Sequence, residues 1–169
     1  MRLMTKLLIS TLLSAMSANC LQAKNTVATT NEKIDVTASS WTHNRKTGMN
    51  IFLGSVTINQ GNSKHVTATK VITKQIDDKH LEEMTAFGDT EKPAHYWDST
   101  KPNEPVLHAY ANTIIYNIKK GLITLKGNAH VQQGQNQFKG NLIYYNMREQ
   151  TIIAPKMPNS RTTIIYQPT

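Results

Sequence analysis

The chain has 169 residues, enough for one domain with a short appendage. Its 19 Lys and Arg outnumber its 11 Asp and Glu, but the cations are scattered without a dense basic block, so nucleic-acid binding is not expected. The single cysteine excludes a framework of disulfides within the chain. A basic surface of this kind fits an anionic lipid or glycolipid, or a solvated surface with no ligand.

The amino terminus has the three-part pattern of a secretory signal. Arg2 and Lys6 give a basic start, residues 7–16 form an apolar run, and the small residue Ala23 offers a cleavage site. The apolar run is about half of the roughly 20 residues that a membrane-spanning helix needs. We therefore predict export rather than a retained membrane anchor.

Lipid attachment at Cys20 is the less favoured alternative. A lipobox has an apolar residue three positions before the cysteine and a small one directly before it, whereas this chain has Ser17 and Asn19 there. Cleavage after Ala23 would leave a mature chain without cysteine. The predicted organisation is a signal peptide over residues 1–23, a flexible segment over 24–33 and a single domain over 34–168.

From Ile34 onward, short runs of alternating apolar and polar residues are separated by turn residues. A period of two places successive side chains on opposite faces of a sheet, and β-branched and aromatic residues dominate the runs. Residues 77–84 could pass for a helix but are too few and too polar. Residues 92–105 predict one short strand at 94–97 followed by a long irregular loop. The pattern as a whole predicts an all-β sandwich, barrel or jelly roll.

Two internal repeats show that one hairpin unit is used several times. Residues 54–61 and 127–134 both read Gly-x-apolar-x-apolar-polar-Gln-Gly, at an offset of 73 residues. Residues 111–117 match residues 140–146 at an offset of 29. Repeated units of this kind bury their apolar faces by stacking on their neighbours. The glycines at the repeated elements are expected at bends or bulges of the sheet: Gly54, Gly127 and Gly140.

The sequence carries no recognisable catalytic or metal-binding motif. Its six histidines lack the spacing of a metal site, and there is no nucleophile elbow or glycine-rich phosphate loop. Four acidic residues cluster in one polar segment, where a solvated turn is the ordinary explanation and a paired-carboxylate site is the alternative: Asp77, Asp78, Glu82 and Glu83. We therefore expect binding rather than enzymatic catalysis, with no cofactor and no metal.

Several apolar residues that share one face of the predicted sheet have two interpretations. They could form only the packed core of a sandwich, or they could line a groove. Tyr116 suits a lining with one wet edge better than a dry core. Both faces are apolar where Ile115 follows Ile114 and where Tyr145 follows Tyr144, which is more than a sheet with one buried face needs. A groove is therefore favoured for the set.

Four stretches together resemble the LptA family of periplasmic lipopolysaccharide-transport proteins, also called the OstA-like family. They are residues 54–61, 92–96, 125–133 and 138–150, and they occur in the order expected for the family. The stretch at 125–133, of the form Leu-x-Gly-Asn-Ala-x-Val-Gln-Gln, is the more specific, whereas an isolated Gly-x-Val element is not. The resemblance extends over about residues 34–168.

The resemblance implies an open antiparallel β-jelly roll with a V-shaped apolar interior groove. In that fold the groove shelters the acyl chains of lipopolysaccharide while the sugars protrude. The first choices for acyl contact are Ile34 and Val36 in the first strand, Tyr96, Tyr116 and Ile118. The complete set of expected groove residues is Ile34, Val36, Phe52, Tyr96, Ile114, Tyr116, Ile118, Leu125, Ile143 and Tyr145.

The resemblance also implies the partners. They are the lipid A acyl chains of lipopolysaccharide, an inner-membrane lipopolysaccharide extraction complex, an outer-membrane lipopolysaccharide translocon, and further copies of the chain stacked end to end. A structural or adaptor β-module that joins envelope proteins through its sheet edges, without a ligand, is the alternative from another class. A cell-envelope hydrolase comes third.

Overall fold

The computed structural model describes residues 32–76, 80–99, 101 and 103–168. These ranges contain twelve strands. The same ranges contain no helix that is long and apolar enough to cross a membrane. The strands are β1 (Ile34–Thr37), β2 (Ser40–Asn44), β3 (Met49–Gln60), β4 (Lys64–Gln75), β5 (Leu81–Phe87), β6 (Ala94–Asp98), β7 (Leu107–Ala111), β8 (Thr113–Asn117), β9 (Leu122–Gln133), β10 (Asn136–Asn146), β11 (Thr151–Ile153) and β12 (Thr163–Ile165). The predicted signal peptide, most of the flexible segment, and the pair Asp77 and Asp78 lie outside the described residues.

Four long strands, β3, β4, β9 and β10, contribute to two layers of antiparallel sheet. Residues 70–75 of β4 pair with β5, whereas residues 64–67 pair with β6. Residues 122–126 of β9 likewise pair with β8, whereas residues 130–133 pair with β7. Layer A therefore has the order β2-β3-β4-β5-β8-β9-β10-β11, and layer B has the order β1-β3-β4-β6-β7-β9-β10-β12.

The hydrogen bonding closes into a circuit through β4, β5, β8, β9, β7 and β6. In the described ranges β1, β2, β11 and β12 each pair with one neighbour only, and they are the edges of the two layers. This arrangement confirms the predicted all-β antiparallel jelly roll. The closed central circuit is a feature that periodicity alone does not predict, because it depends on which half of a long strand meets which partner.

The long strands bend where the sequence repeats place glycine. The register between β3 and β4 shifts from Leu53 to Val56, and Gly54 has a φ of 79° in this bulge. Gly127 of β9 has a φ of 75°, at the equivalent place opposite a register shift in β10. Only glycine adopts such a conformation without strain. The expected bends are therefore confirmed, and β3 and β9 begin and end 73 residues apart, at positions 49 and 122 and at 60 and 133.

Two segments without a clear pattern also form strands. The structure has the strand β5 from Leu81 onward, so Glu82 and Glu83 lie in a strand and neither in a helix nor in the expected solvated turn. The predicted strand at 94–97 is confirmed as β6, which extends to Asp98. The expected long loop then ends at β7, which begins at Leu107 and pairs with both β6 and β9. This second strand was not predicted from the proline-rich segment.

The core lies between the inner faces of the two layers, close to the bends. In layer A one row of cross-strand neighbours has 0% exposure: Val71, Ala86, Ile114, Leu125 and Ile143. In layer B, Ile58, Val66, Tyr96, Ala109 and Val131 form a corresponding row of direct partners. Full burial of each large aliphatic side chain stabilises the fold by about 1.5–3 kcal/mol.

Candidate ligand-binding cavity

An apolar cavity of about 450 Å³ lies between the two layers, on the side of β1 to β6. Its apolar lining consists of Ile34, Val36, Trp41, Phe52, Ile58, Val66, Leu81, Met84, Tyr96, Tyr116 and Ile118. Its polar lining consists of Asn50, Gln60, Lys64, His65, Thr73 and Gln75. The volume and the mainly apolar lining are typical of a site for a small molecule or an aliphatic chain.

Six of the ten expected groove residues line this cavity: Ile34, Val36, Phe52, Tyr96, Tyr116 and Ile118. Ile114, Leu125 and Ile143 instead belong to the fully buried row near the bends, where they are covered on all sides. Tyr145 is half-buried and lines a separate space of about 60 Å³ together with Asp98 and Met147. The strand register explains this division. The expected residues all face the interior, but they lie at different distances from the bends and in different halves of the molecule.

Five apolar lining residues were not selected from the sequence: Trp41, Ile58, Val66, Leu81 and Met84. Ile58 belongs to an alternating run and faces inward with Val56, so periodicity could have selected it. Trp41 lies in the edge strand β2, SWTHN, whose other residues are polar, so its sequence does not indicate an inward-facing residue. The Trp41 side chain is 62% exposed. Leu81 and Met84 lie in the segment of acidic character, where the alternation is obscured by charge.

A small polar network crosses β2, β3 and β4 at the wall of the cavity. The Trp41 indole Nε1 donates to Asn50 Oδ1 at 3.1 Å, and His43 Nδ1 lies 2.9 Å from the same oxygen. Asn50 Nδ2 in turn donates to Thr73 Oγ1 at 3.1 Å. Asn50 and Thr73 are both buried, so these bonds satisfy polar groups that would otherwise destabilise the interior. The network fixes the Trp41 ring against the cavity.

The Tyr96 hydroxyl and the Asp98 carboxylate form a second polar pair, whose charge also affects Tyr116 and Tyr145. Tyr96 is 1% exposed, and its hydroxyl donates to Asp98 Oδ2 at 2.9 Å. Burial raises the pKa of Tyr96, and the Asp98 carboxylate raises it further. Burial and then Asp98 also raise the pKa of both Tyr116 and Tyr145. The tyrosines therefore stay neutral and present rings with one polar end to the cavity and the smaller space beside it.

The histidines of layer B lie mainly on its outer face, in a stack of rings across four strands. His95 stacks on Tyr110 with ring centroids 4.1 Å apart and on Trp97 at 4.6 Å. His95 Nε2 lies 3.0 Å from His108 Nδ1. Burial lowers the pKa of His95 to about 4, with a further contribution from His108. In the described part of the chain, no group of three or more His, Cys, Asp or Glu side chains is placed to hold a metal ion.

Only part of the suspected carboxylate cluster can be placed. Glu82 forms an ion pair with Lys74 at 2.8 Å between the neighbouring strands β5 and β4. The Glu82 carboxylate and the Glu83 charge both raise the pKa of Lys74. The pair is partly exposed and lies outside the lining of the apolar cavity. Its geometry is that of an ordinary surface ion pair.

Comparison with known proteins identifies a family whose sequence model matches this chain. The family described as LptA/(LptD N-terminal domain) LPS transport protein matches residues 35–151. The lipopolysaccharide export system protein LptH of Pseudomonas aeruginosa is 32% identical over 132 residues, which are 78% of this chain and 73% of LptH. The corresponding protein LptA of Escherichia coli is 29% identical over 117 residues, which are 69% of this chain and 61% of LptA.

A solved structure shows the same fold. The crystal structure of LptH, described as the LptA-homologous periplasmic component of the lipopolysaccharide transport device of Pseudomonas aeruginosa, superposes with a TM-score of 0.72 at 30% identity. The superposition covers 81% of this chain and 96% of that chain. Because the family match includes more than half of the sequence, the chain belongs to the family of LptA and LptD N-terminal-domain LPS transport proteins.

Proposed function

We propose that this chain is a periplasmic lipopolysaccharide-binding carrier, which shelters lipid A acyl chains in the cavity between its two layers. The observation that carries the proposal is the apolar cavity of about 450 Å³, lined by side chains of both layers. Relatives of the chain are named lipopolysaccharide export system proteins, and LptH is described as a periplasmic component. The basic and apolar start of the sequence supports export by a signal peptide cleaved after Ala23.

The physical role of the cavity is to keep acyl chains away from water. Exposure of an acyl chain costs about 0.8 kcal/mol for each CH₂ group, so about ten methylenes would require roughly 8 kcal/mol of shelter. The Phe52, Met84 and Tyr116 side chains contribute apolar surface to the cavity wall for this purpose. The role is binding and transfer rather than catalysis, and the energy for directional movement comes from partners.

The carrier forms a bridge between an inner-membrane extraction complex and an outer-membrane translocon. Four edge strands support this proposal, since β1 and β2 expose one end of the layers and β11 and β12 expose the other. Unpaired edges allow another strand to be added by backbone hydrogen bonds. Copies stacked end to end in this way would continue the apolar interior from one module to the next.

A pair of substitutions in β8 tests the carrier. Tyr116→Asp places a carboxylate on the cavity wall, whereas Ile115→Asp places one on the other face of the same strand. We expect Tyr116→Asp to reduce capture of purified lipopolysaccharide by about tenfold or more, because an unpaired buried charge is costly beside an acyl chain. Ile115→Asp serves as the matched control and should retain capture. If Tyr116→Asp lowers the melting temperature as markedly as it lowers lipopolysaccharide capture, while Ile115→Asp lowers neither, the result would favour a dry core without a ligand.

Photo-crosslinking separates the carrier from the ligand-free adaptor. A photoreactive residue at Tyr116 or Ile118 should capture lipopolysaccharide, while the same residue at the exposed Lys119 should not. Capture at background level from both cavity positions would contradict the carrier and leave the adaptor. Mass spectrometry of the exported chain measures the cleavage site and shows whether Cys20 is retained with a lipid.

A further inference from the structure

A polar pocket with basic side chains adjoins the apolar cavity. Its volume is about 600 Å³, and its walls include His43, Arg45 and Lys46 from the end of β2 and the turn after it, together with Gln75 at the end of β4. Gln75 also lines the apolar cavity, so the two spaces share a wall. A molecule with an anionic head and an aliphatic chain can therefore contact both at once.

We infer that this basic pocket binds the phosphate-bearing headgroup of the amphiphile whose acyl chain enters the cavity. The inference rests on the proposed carrier function and adds to it a position for the headgroup. It predicts that phosphate, rather than the sugar alone, contributes to affinity. The turn between β2 and β3 is then a recognition element and not only a connection.

The charges of Arg45 and Lys46 are available to a ligand. In the described part of the chain the ion pairs join Lys33 to Asp35, Lys74 to Glu82 and Lys101 to Glu104. Neither Arg45 nor Lys46 takes part in them, and both side chains are exposed. A guanidinium offers paired donors that match two phosphate oxygens, and an ammonium adds a compact positive charge beside it. This combination favours a phosphate over a neutral sugar.

The hydrogen bonds of His43 orient its ring for the same purpose. Asn50 Oδ1 accepts from Trp41 Nε1, so the short contact at 2.9 Å requires that His43 Nδ1 carry the hydrogen and donate to this oxygen. His43 Nε2 is then the ring nitrogen outside the network. The bond at Nδ1 holds the His43 ring in the wall of the basic pocket.

The buried anchor of this arrangement is shared with the cavity wall. Asn50 is 8% exposed, lines the cavity, and is itself fixed by Thr73 at 3.1 Å. The same amide oxygen therefore orients Trp41 on the apolar side and His43 on the basic side. Recognition groups held by such bonds lose less side-chain freedom on binding.

The test compares two forms of lipid A with the same acyl chains, one with its phosphates and one dephosphorylated, in the same nonionic detergent. We expect the mature chain to bind the phosphorylated form about tenfold more tightly. The double variant Arg45→Gln/Lys46→Gln should lose most of this preference while binding the dephosphorylated form as the unmodified chain does. The matched control is Lys119→Gln/Lys120→Gln, which removes the same charge at the exposed turn after β8 and should keep the preference.

The outcomes distinguish the headgroup pocket from the carrier function. Equal affinity of the unmodified chain for both lipids overturns the pocket and leaves the carrier function in place. Binding of neither lipid overturns both. Inorganic phosphate provides a third arm: if it shifts the His43 ring resonances as strongly as the phosphorylated lipid at equal concentration, the pocket is a site for free anions and the headgroup assignment is wrong.

Discussion

The interior has two halves that the sequence repeat makes equivalent but that packing makes different. In the half formed by β3 and β4, Asn50 and Thr73 are direct cross-strand partners. The equivalent partners in β9 and β10 are Ile123 and Tyr145. The first half contains the cavity of about 450 Å³, whereas the space beside Tyr145 is about 60 Å³. We call them the hollow half and the filled half.

The difference shows that a few side chains decide whether a repeated hairpin forms a core or a cavity. The backbone bends are alike in both halves, with Gly54 and Gly127 at positive φ. Below the bends, the hollow half has Val66 where the filled half has Phe138 in the same row of layer B. Because the backbone bends in the same way in both halves, the backbone would allow a cavity in either. The smaller side chains of the hollow half leave that space empty.

The largest expected effect is the loss of a side chain from the filled half. Ile123→Ala should lower the free energy of unfolding by about 2–5 kcal/mol, because it removes fully buried atoms and leaves a void that cannot collapse completely. Ile118→Ala, on the wall of the existing cavity, should cost less than half as much. Urea denaturation measures both values. Equal losses would contradict the distinction between the halves.

Filling the hollow half should affect binding more than stability. Val66→Phe introduces the residue that occupies the equivalent position in the filled half, Phe138. Because the ring would occupy part of the cavity, we expect capture of lipopolysaccharide to fall about tenfold, or about 1.4 kcal/mol, with a nearly unchanged melting temperature. Phe138→Val is the reciprocal control, which should lower the melting temperature and leave capture in place.

The ring stack on layer B predicts a dependence of stability on pH that is separate from either half of the interior. The pKa of His95 is lowered to about 4 in the folded chain from an ordinary value of 6.5, so the unfolded chain binds more protons between these values. Its contribution to stability is present above pH 6.5 and is lost as the pH falls towards 4. We expect about 1 kcal/mol after allowing for partial exposure. Urea denaturation across this pH range should show a shallower dependence for His95→Gln.

The smallest effect concerns the edge of the hollow half. The chain has two tryptophans, of which Trp41 lines the cavity and Trp97 belongs to the outer ring stack. In Trp97→Phe, the fluorescence of Trp41 should shift to shorter wavelength when lipid covers the 62% exposed ring. In Trp41→Phe, the remaining signal should not respond, and stability should fall by only about 0.5 kcal/mol for one partly exposed hydrogen bond. A response from Trp97 would place the lipid elsewhere.

Local patterns were sufficient to predict much of the fold. Alternation predicted strands, the glycines predicted the bends, and the 73-residue repeat predicted a hairpin unit used more than once, which the structure has at β3 and β9. The strand β7 was missed because two prolines and several polar residues precede Leu107, and because the position of β7 depends on partners on both sides. Such pairing is a non-local property that a short window of sequence does not contain.

The groove residues show the same limit more sharply. The sequence by itself determined which residues face inward, because a period of two assigns Tyr116 and Ile114 to one face of β8. Only the tertiary structure decided that Ile114 is sealed in the core while Tyr116 reaches the cavity. The physical reason is that burial depends on how far a residue lies from the bend and on the size of the side chains from the opposite layer. Both are set by contacts between residues far apart in the chain.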